Sequence, residues 1–381
     1  MKLCLSGLLN TQHITCWFVG FSLFASGSAA LATDVERYIP KALWETDYPP
    51  APAPVFTLPD ELPASASIVA EMIEPLDEPD VTDQQGTFSL IIENDVLSRT
   101  DRHYTSGIQL GYFQHPDQTP KFAQGLANRL PFLTGPAQAG WFIGHEIYTP
   151  ESLDVARPLP NQRPYAAWAY LGMSLSTAAI DGTSTWRLQL GLVGPSAQGE
   201  KIQNSIHRII DNNDARGWDN QLNDEPGLVL AYERTWRLTP WQHDKVDLLP
   251  QTIVSVGNIS TYASSGLTVR YGSGLNQDYG AGRIRPAITG SPFFNTSSSQ
   301  SLYVFAGASL RLVAYNLFLD GNTYQDSLSV NRRVAVWDGQ AGVVYTRGRW
   351  RLSYTFIIRS KEFTQQEEAD RFGSFGISFN F

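Results

Sequence analysis

Cysteine is almost absent from this 381-residue chain. The only two, Cys4 and Cys16, lie within the first 32 residues. That stretch has one lysine at position 2, then an apolar run and an Ala-Leu-Ala signal ending at Ala32, which together predict a secretory leader over residues 1–32. The exported chain would then contain neither disulfides nor thiolate metal sites, and we expect it to be stabilised by its fold alone.

Long apolar runs are also absent. Beyond the leader, no stretch approaches the roughly 18 apolar residues that a transmembrane helix requires. An exported chain of this kind is either soluble or crosses a membrane as a β-barrel.

The body of the chain has no excess of either charge. Residues 33–85 contain 12 acidic and 2 basic groups together with 9 prolines, whereas residues 86–381 contain 25 of each sign. A Pro-rich acidic segment buries too little apolar surface to offset its ordering entropy, so residues 33–85 are predicted to be a disordered extension. The balanced body, residues 86–381, has no basic stripe, and we expect no nucleic-acid partner.

What the body has instead is strict two-residue alternation. WRLQLGLVG (Trp186–Gly194), RWRLSYTFIIRS (Arg349–Ser360) and the final SFGISFNF each set apolar residues against polar ones. Both a soluble sandwich and a membrane barrel fit this period. The leader, the Trp and Tyr residues at the strand edges and the terminal Phe381 favour an all-β, twelve-stranded antiparallel transmembrane β-barrel.

Twelve alternating segments are predicted, at 87–95, 104–114, 141–149, 165–178, 184–194, 226–237, 248–257, 263–272, 300–316, 331–346, 349–360 and 372–381. An even count brings both termini to the periplasmic side. The connections 96–103, 150–164, 195–225 and 361–371 should then meet at the extracellular rim. Two periplasmic connections, 115–140 and 273–299, are too long for turns; a short amphipathic helix is predicted in the first and an irregular loop in the second.

Common catalytic signatures are missing. There is no GxSxG elbow, GHEIYTP (Gly144–Pro150) lacks the second histidine of HExxH, and DNNDARG (Asp211–Gly217) departs from an EF-hand loop at its sixth and twelfth positions. A serine hydrolase, a zincin and an EF-hand are therefore not indicated.

Polar residues do gather in two places expected at one rim. The first hairpin contains Asn94, Asp95 and Thr105, and the connection 195–225 contains a predicted short helix with Gln203 and His207 four residues apart. The isoleucines of that helix follow helical spacing, and we expect them to be buried on the barrel rim or in lipid. That orientation would hold Gln203 and His207 beside the barrel wall.

ENDxxxxTDRHYTSG, followed by GPxAxGExxQNxxHRII, resembles the lipid A 3′-O-deacylase family of outer-membrane enzymes, over about residues 88–381. The resemblance implies a twelve-stranded barrel in the bacterial outer membrane that hydrolyses an ester-linked acyl chain of lipid A. It implies Ca²⁺ as the oxyanion hole, a catalytic set of Asn94, Asp95, Thr105, Gln203 and His207, and Asn94, Asp95 and Thr105 as the metal-binding residues.

The residue chemistry agrees with this resemblance. Carboxylate, amide and hydroxyl oxygens suit Ca²⁺, and a histidine suits activation of water. One departure is Asn213, which stands where an acidic residue of the metal shell is expected. Arg102 and His103 are expected to belong to a solvated turn.

Three readings remain open: the deacylase, a non-catalytic channel or structural barrel, and another lipid-acting barrel such as a phospholipase. The expected partners are lipid A or lipopolysaccharide as substrate and the lipids of the outer membrane. The protein is expected to be a monomer.

Overall fold

The computed structural model describes residues 86–95, 103–179, 181–209, 213–239, 244–284, 286–287, 290–296 and 300–381. The predicted leader and extension lie outside these residues. Twelve strands form one closed barrel. They are β1 Gly86–Asn94, β2 His103–Gln114, β3 Ala137–Thr149, β4 Ala166–Ala179, β5 Gly182–Val193, β6 Glu225–Trp236, β7 Val246–Gly257, β8 Ser260–Gly272, β9 Ser301–Asn316, β10 Ala335–Arg347, β11 Trp350–Arg359 and β12 Asp370–Asn380.

Each strand pairs antiparallel with its neighbours in the chain, and β1 closes the barrel against β12, with Thr87 opposite Asn380. The amide of Phe381 donates to Gly86 O at 3.2 Å, and its ring lies 5.1 Å from that of Phe88. The fold class and all twelve strands predicted from the alternation are confirmed. We call the end that carries Gly86 and Asn380 the near end and the opposite end the far end.

The two faces of each strand differ in polarity. On β5, Arg187 and Gln189 are buried in the barrel, whereas Leu188, Leu190 and Leu192 are exposed on its outside. This is the arrangement expected of a wall with lipid outside it and polar groups within. None of the helices among the described residues is long and apolar enough to span a membrane.

The connection between β8 and β9 is irregular, as predicted, but it enters the barrel. Arg351 on β11 donates to Ser291 O at 2.5 Å, and two residues of β12, Ser378 and Asn380, donate to the carbonyls of Pro292 and Phe294 at 3.1 and 2.9 Å. Polar side chains of the wall thus satisfy the loop's backbone, as burial requires. Alternation identifies a polar interior but cannot predict which segment fills it.

Ion pairs cross the interior. Arg270 contacts both Asp247 and Asp278 at 2.5 Å, and Arg283 of the inserted loop contacts Glu93 at 3.0 Å. These groups are all buried.

The connection between β2 and β3 contains the first helix, α1 (Lys121–Ala127), as predicted. Its Ala123 and Ala127 pack on Ala139 and Leu175, which lie on the outer face of the wall. The helix therefore lies against the outside of the barrel at the near end.

Two helices lie at the far end. Helix α2 (Gly199–Ile209) belongs to the connection between β5 and β6, and α3 (Leu317–Asp320) follows β9. On α3, Phe318 stacks on the inward-facing Tyr148 with ring centroids 4.0 Å apart. Helix α3 therefore packs against the far end of the interior.

Candidate active site

Helix α2 turns its polar face towards the protein. Its buried residues are Gly199, Gln203, Asn204 and His207. The isoleucines are exposed, and Ile209 is the most exposed at 83%. The isoleucines are therefore not buried on the rim, which leaves lipid, the other place expected for them. Gln203 and His207 do lie beside the wall, as predicted.

The wall beneath α2 is the outer face of β3 and β4. Ile147 and Ala167 pack there with Ala197 and Trp218 of the same connection. A Cβ added at Gly199 would lie 2.5 Å from Cβ of Ala167, so the helix meets the wall too closely for a larger residue. This part of the outer surface is covered by polypeptide.

Hydrogen bonds fix the tautomer of His207 and the orientation of the Gln203 amide. His207 Nδ1 lies 2.6 Å from Asn213 O, and a carbonyl only accepts, so Nδ1 carries the proton and the neutral ring keeps Nε2 as an acceptor. Trp218 Nε1 donates to Gln203 Oε1 at 2.8 Å. The buried Gln203 Nε2 has no hydrogen-bond partner among the described residues.

The first hairpin supplies the second half of the site. Glu93 points inward, so Asn94 lies on the outward face, opposite Ser106 of β2. The pairing of β2 with β3 shifts between Tyr104 and Ser106, which makes Thr105 the extra residue of a β-bulge. Asp95 N donates to Thr105 O at 3.3 Å, so Asn94, Asp95 and Thr105 come together at the far end.

Strand β3 connects the two halves. Thr105 Oγ1 lies 2.7 Å from Oγ1 of Thr149, which is fully buried. Thr149 is two residues from Ile147, on the same outward face that α2 covers. Thr149 was not predicted. Alternation places it on the outward side at the end of GHEIYTP but gives no sign of its contact with Thr105.

The oxygen donors of the first hairpin suit a hard cation. Asn94, Asp95 and Thr105 offer an amide oxygen, a carboxylate and a hydroxyl, which are ligand types that Ca²⁺ prefers. Among the described residues no group of three or more His, Cys, Asp or Glu side chains is placed to hold a metal ion, so a cation here would depend on neutral oxygens beside Asp95. Asn213, found where an acid was expected, accepts from His207 Nδ1 through its backbone carbonyl.

His103 corrects one expectation. It is 1% exposed rather than solvated, and its Nδ1 lies 2.6 Å from Asp370 Oδ1 on β12. Its φ of 65° is in the left-handed region, which non-glycine residues rarely adopt. Two other residues considered above, Arg102 and Asp211, lie outside the described residues.

The chain resembles known proteins in both sequence and fold. A family model described as outer membrane protein LpxR matches residues 59–381. The chain belongs to this family. The match begins within the segment predicted to be a disordered extension, and it covers the whole barrel. No curated protein matches the chain.

Solved structures agree with the LpxR fold. LpxR from Salmonella typhimurium is 22% identical with a TM-score of 0.64, over 77% of this chain and 100% of that one. Two autotransporter domains match less well. The β-domain of BrkA from Bordetella is 12% identical with a TM-score of 0.40, over 78% of this chain and 99% of that one. The translocator domain of NalP from Neisseria meningitidis is 10% identical with a TM-score of 0.37, over 83% of this chain and 96% of that one. The protein is an outer-membrane barrel. Because the first and last strands of such barrels begin and end on the periplasmic side, we expect the near end in the periplasm and α2 in an extracellular loop.

Proposed function

We propose that this LpxR-family protein is a hydrolase that removes the ester-linked 3′-O-acyl chain of lipid A. One observation carries the proposal: the polar face of α2, with Gln203 and His207, packs on the outer face of the barrel. The isoleucines on the other side of α2 are exposed to the membrane environment. This strip lies on the outside of the barrel, where membrane lipid is, and not in the lumen.

The residues on α2 fit the roles of a base and an oxyanion donor. With Nδ1 held by the carbonyl of Asn213, His207 Nε2 accepts a proton from the water that attacks the ester carbonyl. Gln203 is held by Trp218 so that its Nε2 can donate to the carbonyl oxygen of the ester as negative charge develops. The proton taken by His207 then passes to the leaving 3′-oxygen, which yields a free fatty acid and a sugar hydroxyl.

Asn94, Asp95 and Thr105 would hold Ca²⁺. When bound, this ion supplies positive charge that stabilises an oxyanion. The buried hydroxyl of Thr149 would keep Thr105 oriented. Because Ca²⁺ affinity rises with the number of charged ligands, a set with Asp95 as its one carboxylate predicts weak binding.

The interior offers no support for a passive channel. The inserted connection between β8 and β9 and the ion pairs of Arg270 and Arg283 lie in the interior that a solute would have to cross. A porin, by contrast, keeps a water-filled lumen.

Mass spectrometry of lipid A tests the proposal most directly. Cells expressing the protein should accumulate lipid A that lacks one ester-linked acyl chain, and purified protein should release that chain only with Ca²⁺ present. Phospholipids from the same cells provide the comparison. Release of fatty acid from phospholipid alone would indicate a phospholipase, and no release from either lipid under any Ca²⁺ concentration would indicate a non-catalytic barrel.

A further inference from the structure

The connection between β2 and β3 presents large apolar side chains on the outside of the barrel. Phe122 and Leu126 of α1 are 64% and 44% exposed, and Phe132 further along is 68% exposed. Residues 116–136, which we call the foot, lie at the periplasmic end. Exposed aromatic rings of this size are unusual on a surface that meets water alone.

The foot is held firmly, so its exposed rings are not a consequence of looseness. Trp186 on β5 donates from Nε1 to Pro131 O at 2.9 Å. The backbone amides of Ala137 and Ala139 on β3 donate to the side chains of Gln124 and Thr119 at 3.0 and 3.1 Å. These bonds, with the alanine face of α1 on the wall, fix the position of the foot while Phe122 and Phe132 stay largely exposed.

The exposed rings continue an aromatic band on the barrel wall. The ring of Phe122 lies 6.4 Å from that of Trp141, and Phe132 lies 5.2 Å from Tyr232, which in turn contacts Trp186 at 5.2 Å. Bands of Trp and Tyr mark the level of lipid headgroups in outer-membrane barrels. The foot is therefore continuous with the membrane-facing surface of the barrel.

The charge of the foot complements phospholipid. Lys121 and Arg129 are both exposed, and no acidic residue occurs between Asp117 and Glu146. Basic residues beside an apolar helix face favour a phosphate-bearing membrane surface. We propose that the foot binds phospholipids of the inner leaflet of the outer membrane, with its apolar side chains among the acyl chains and its two basic residues at the phosphates.

Single-cysteine labelling can test this proposal, because the only native cysteines are Cys4 and Cys16. In a Cys4→Ser, Cys16→Ser background, Phe122→Cys and Phe132→Cys are labelled with bimane. Asp117→Cys is the matched control, since Asp117 belongs to the same connection and is 87% exposed. The labelled full-length protein is reconstituted in vesicles of phosphatidylethanolamine and phosphatidylglycerol.

Labels at 122 and 132 should emit at shorter wavelength than the label at 117. Doxyl-labelled phospholipid should quench them strongly and iodide weakly, with the opposite order at 117. Quenching by lipid at 122 and 132 should increase with the fraction of phosphatidylglycerol in the vesicles. In a Lys121→Gln, Arg129→Gln variant, this increase should be absent.

Two outcomes would overturn the proposal. Equal quenching by iodide at all three positions would mean that the foot meets water or awaits a periplasmic protein. A blue shift that disappears when the protein is diluted into excess lipid would mean that a second copy of the chain covers the foot.

Discussion

Polar side chains are buried in two regions of this barrel, the lumen and the strip between α2 and the outer wall, and the two are built differently. In the lumen, arginines meet carboxylates, as Arg270 meets Asp247 and Asp278. In the strip the groups are mostly neutral, and Gln203 Nε2 has no partner among the described residues. The first region pairs opposite charges, whereas the second is built mostly from neutral groups around one histidine.

This difference follows from what each region must do. A charge taken out of water without a partner is strongly destabilising, so a filled lumen requires pairing. A polar group buried on the outer face serves no such need and adds a desolvation penalty unless it binds something. Polar residues under α2 are therefore better explained by chemistry than by stability, and the following predictions probe that contrast.

The largest expected effect is on catalysis. Replacing His207 by Ala removes the proposed base and should lower the rate of lipid A deacylation by ~10²–10⁴-fold. His115→Ala is the matched control, because His115 lies at the periplasmic end beside Asp117. The rate is measured by release of fatty acid from purified lipid A. Near wild-type activity in His207→Ala would refute the proposed base.

Asp95→Ala should also be strongly impaired, by about 10²–10³-fold, because it weakens the group that stabilises the oxyanion. Raising the Ca²⁺ concentration should restore part of this loss but none of the loss in His207→Ala. Asp117→Ala removes an exposed carboxylate outside the site and should leave the rate of deacylation unchanged. If excess Ca²⁺ rescues neither variant, Asp95 does not act through the ion.

The sequence located five candidate residues at the far end and missed Thr149, and the roles of those five stay predictions. Asn94, Asp95, Thr105, Gln203 and His207 were all predicted at one rim, because strand parity and a motif resemblance located them. Thr149 was missed because it gains its partner, Thr105 Oγ1, only through a β-bulge. A bulge changes which side chains meet, and two-residue alternation of polarity does not reveal a bulge.

In the lumen, substitution should change stability rather than catalysis. Arg270→Met removes the buried arginine that joins Asp247 to Asp278 and leaves them only Arg237 and Arg351, so it should lower the free energy of unfolding by ~3 kcal/mol. Arg208→Met breaks an exposed ion pair with Asp214 at 3.8 Å and should change the free energy of unfolding by about 0–1 kcal/mol. Urea unfolding in lipid vesicles, followed by tryptophan fluorescence, measures both. Equal effects would show that the lumen is solvated.

The lumen was also the less predictable region of the fold. Alternation predicted all twelve strands within a few residues, since each strand contributes its own period. The entry of the β8–β9 connection depends on partners more than 50 residues away, such as Arg351 for Ser291. No local pattern in a loop rich in Gly, Pro and Ser specifies such contacts.

His103 joins the two regions, since it precedes the Thr105 bulge and bonds to Asp370. His103→Ala should lose about 1.5–3 kcal/mol, the usual contribution of a hydrogen bond to a charged group. His103→Asn should lose less, because Asn tolerates the left-handed backbone and can donate to Asp370 from a similar position. Thermal unfolding measures both variants. Equal losses would mean that packing, not this bond, holds His103.

The smallest expected effect is a pH dependence centred on Glu362, in the extracellular connection between β11 and β12. Burial alone would raise the pKa of this carboxyl, but Arg359, Arg163 and Arg311 together hold it below its ordinary value of 4.5. The folded state therefore binds fewer protons than the unfolded state near that pH. The stability this group contributes is present above pH 4.5 and is lost as the pH falls through the lowered folded pKa.

Glu362→Gln removes the titrating group and provides the test. Between pH 7 and pH 3, the free energy of unfolding of the wild type should fall more steeply below pH 4.5 than that of the variant. Deacylation per folded molecule should change little in the variant at neutral pH. Glu362 contacts Arg163 at 3.5 Å among the paired groups of the interior and does not belong to the strip under α2. A parallel loss of stability and activity in the variant would mean that the interior and the strip are energetically coupled.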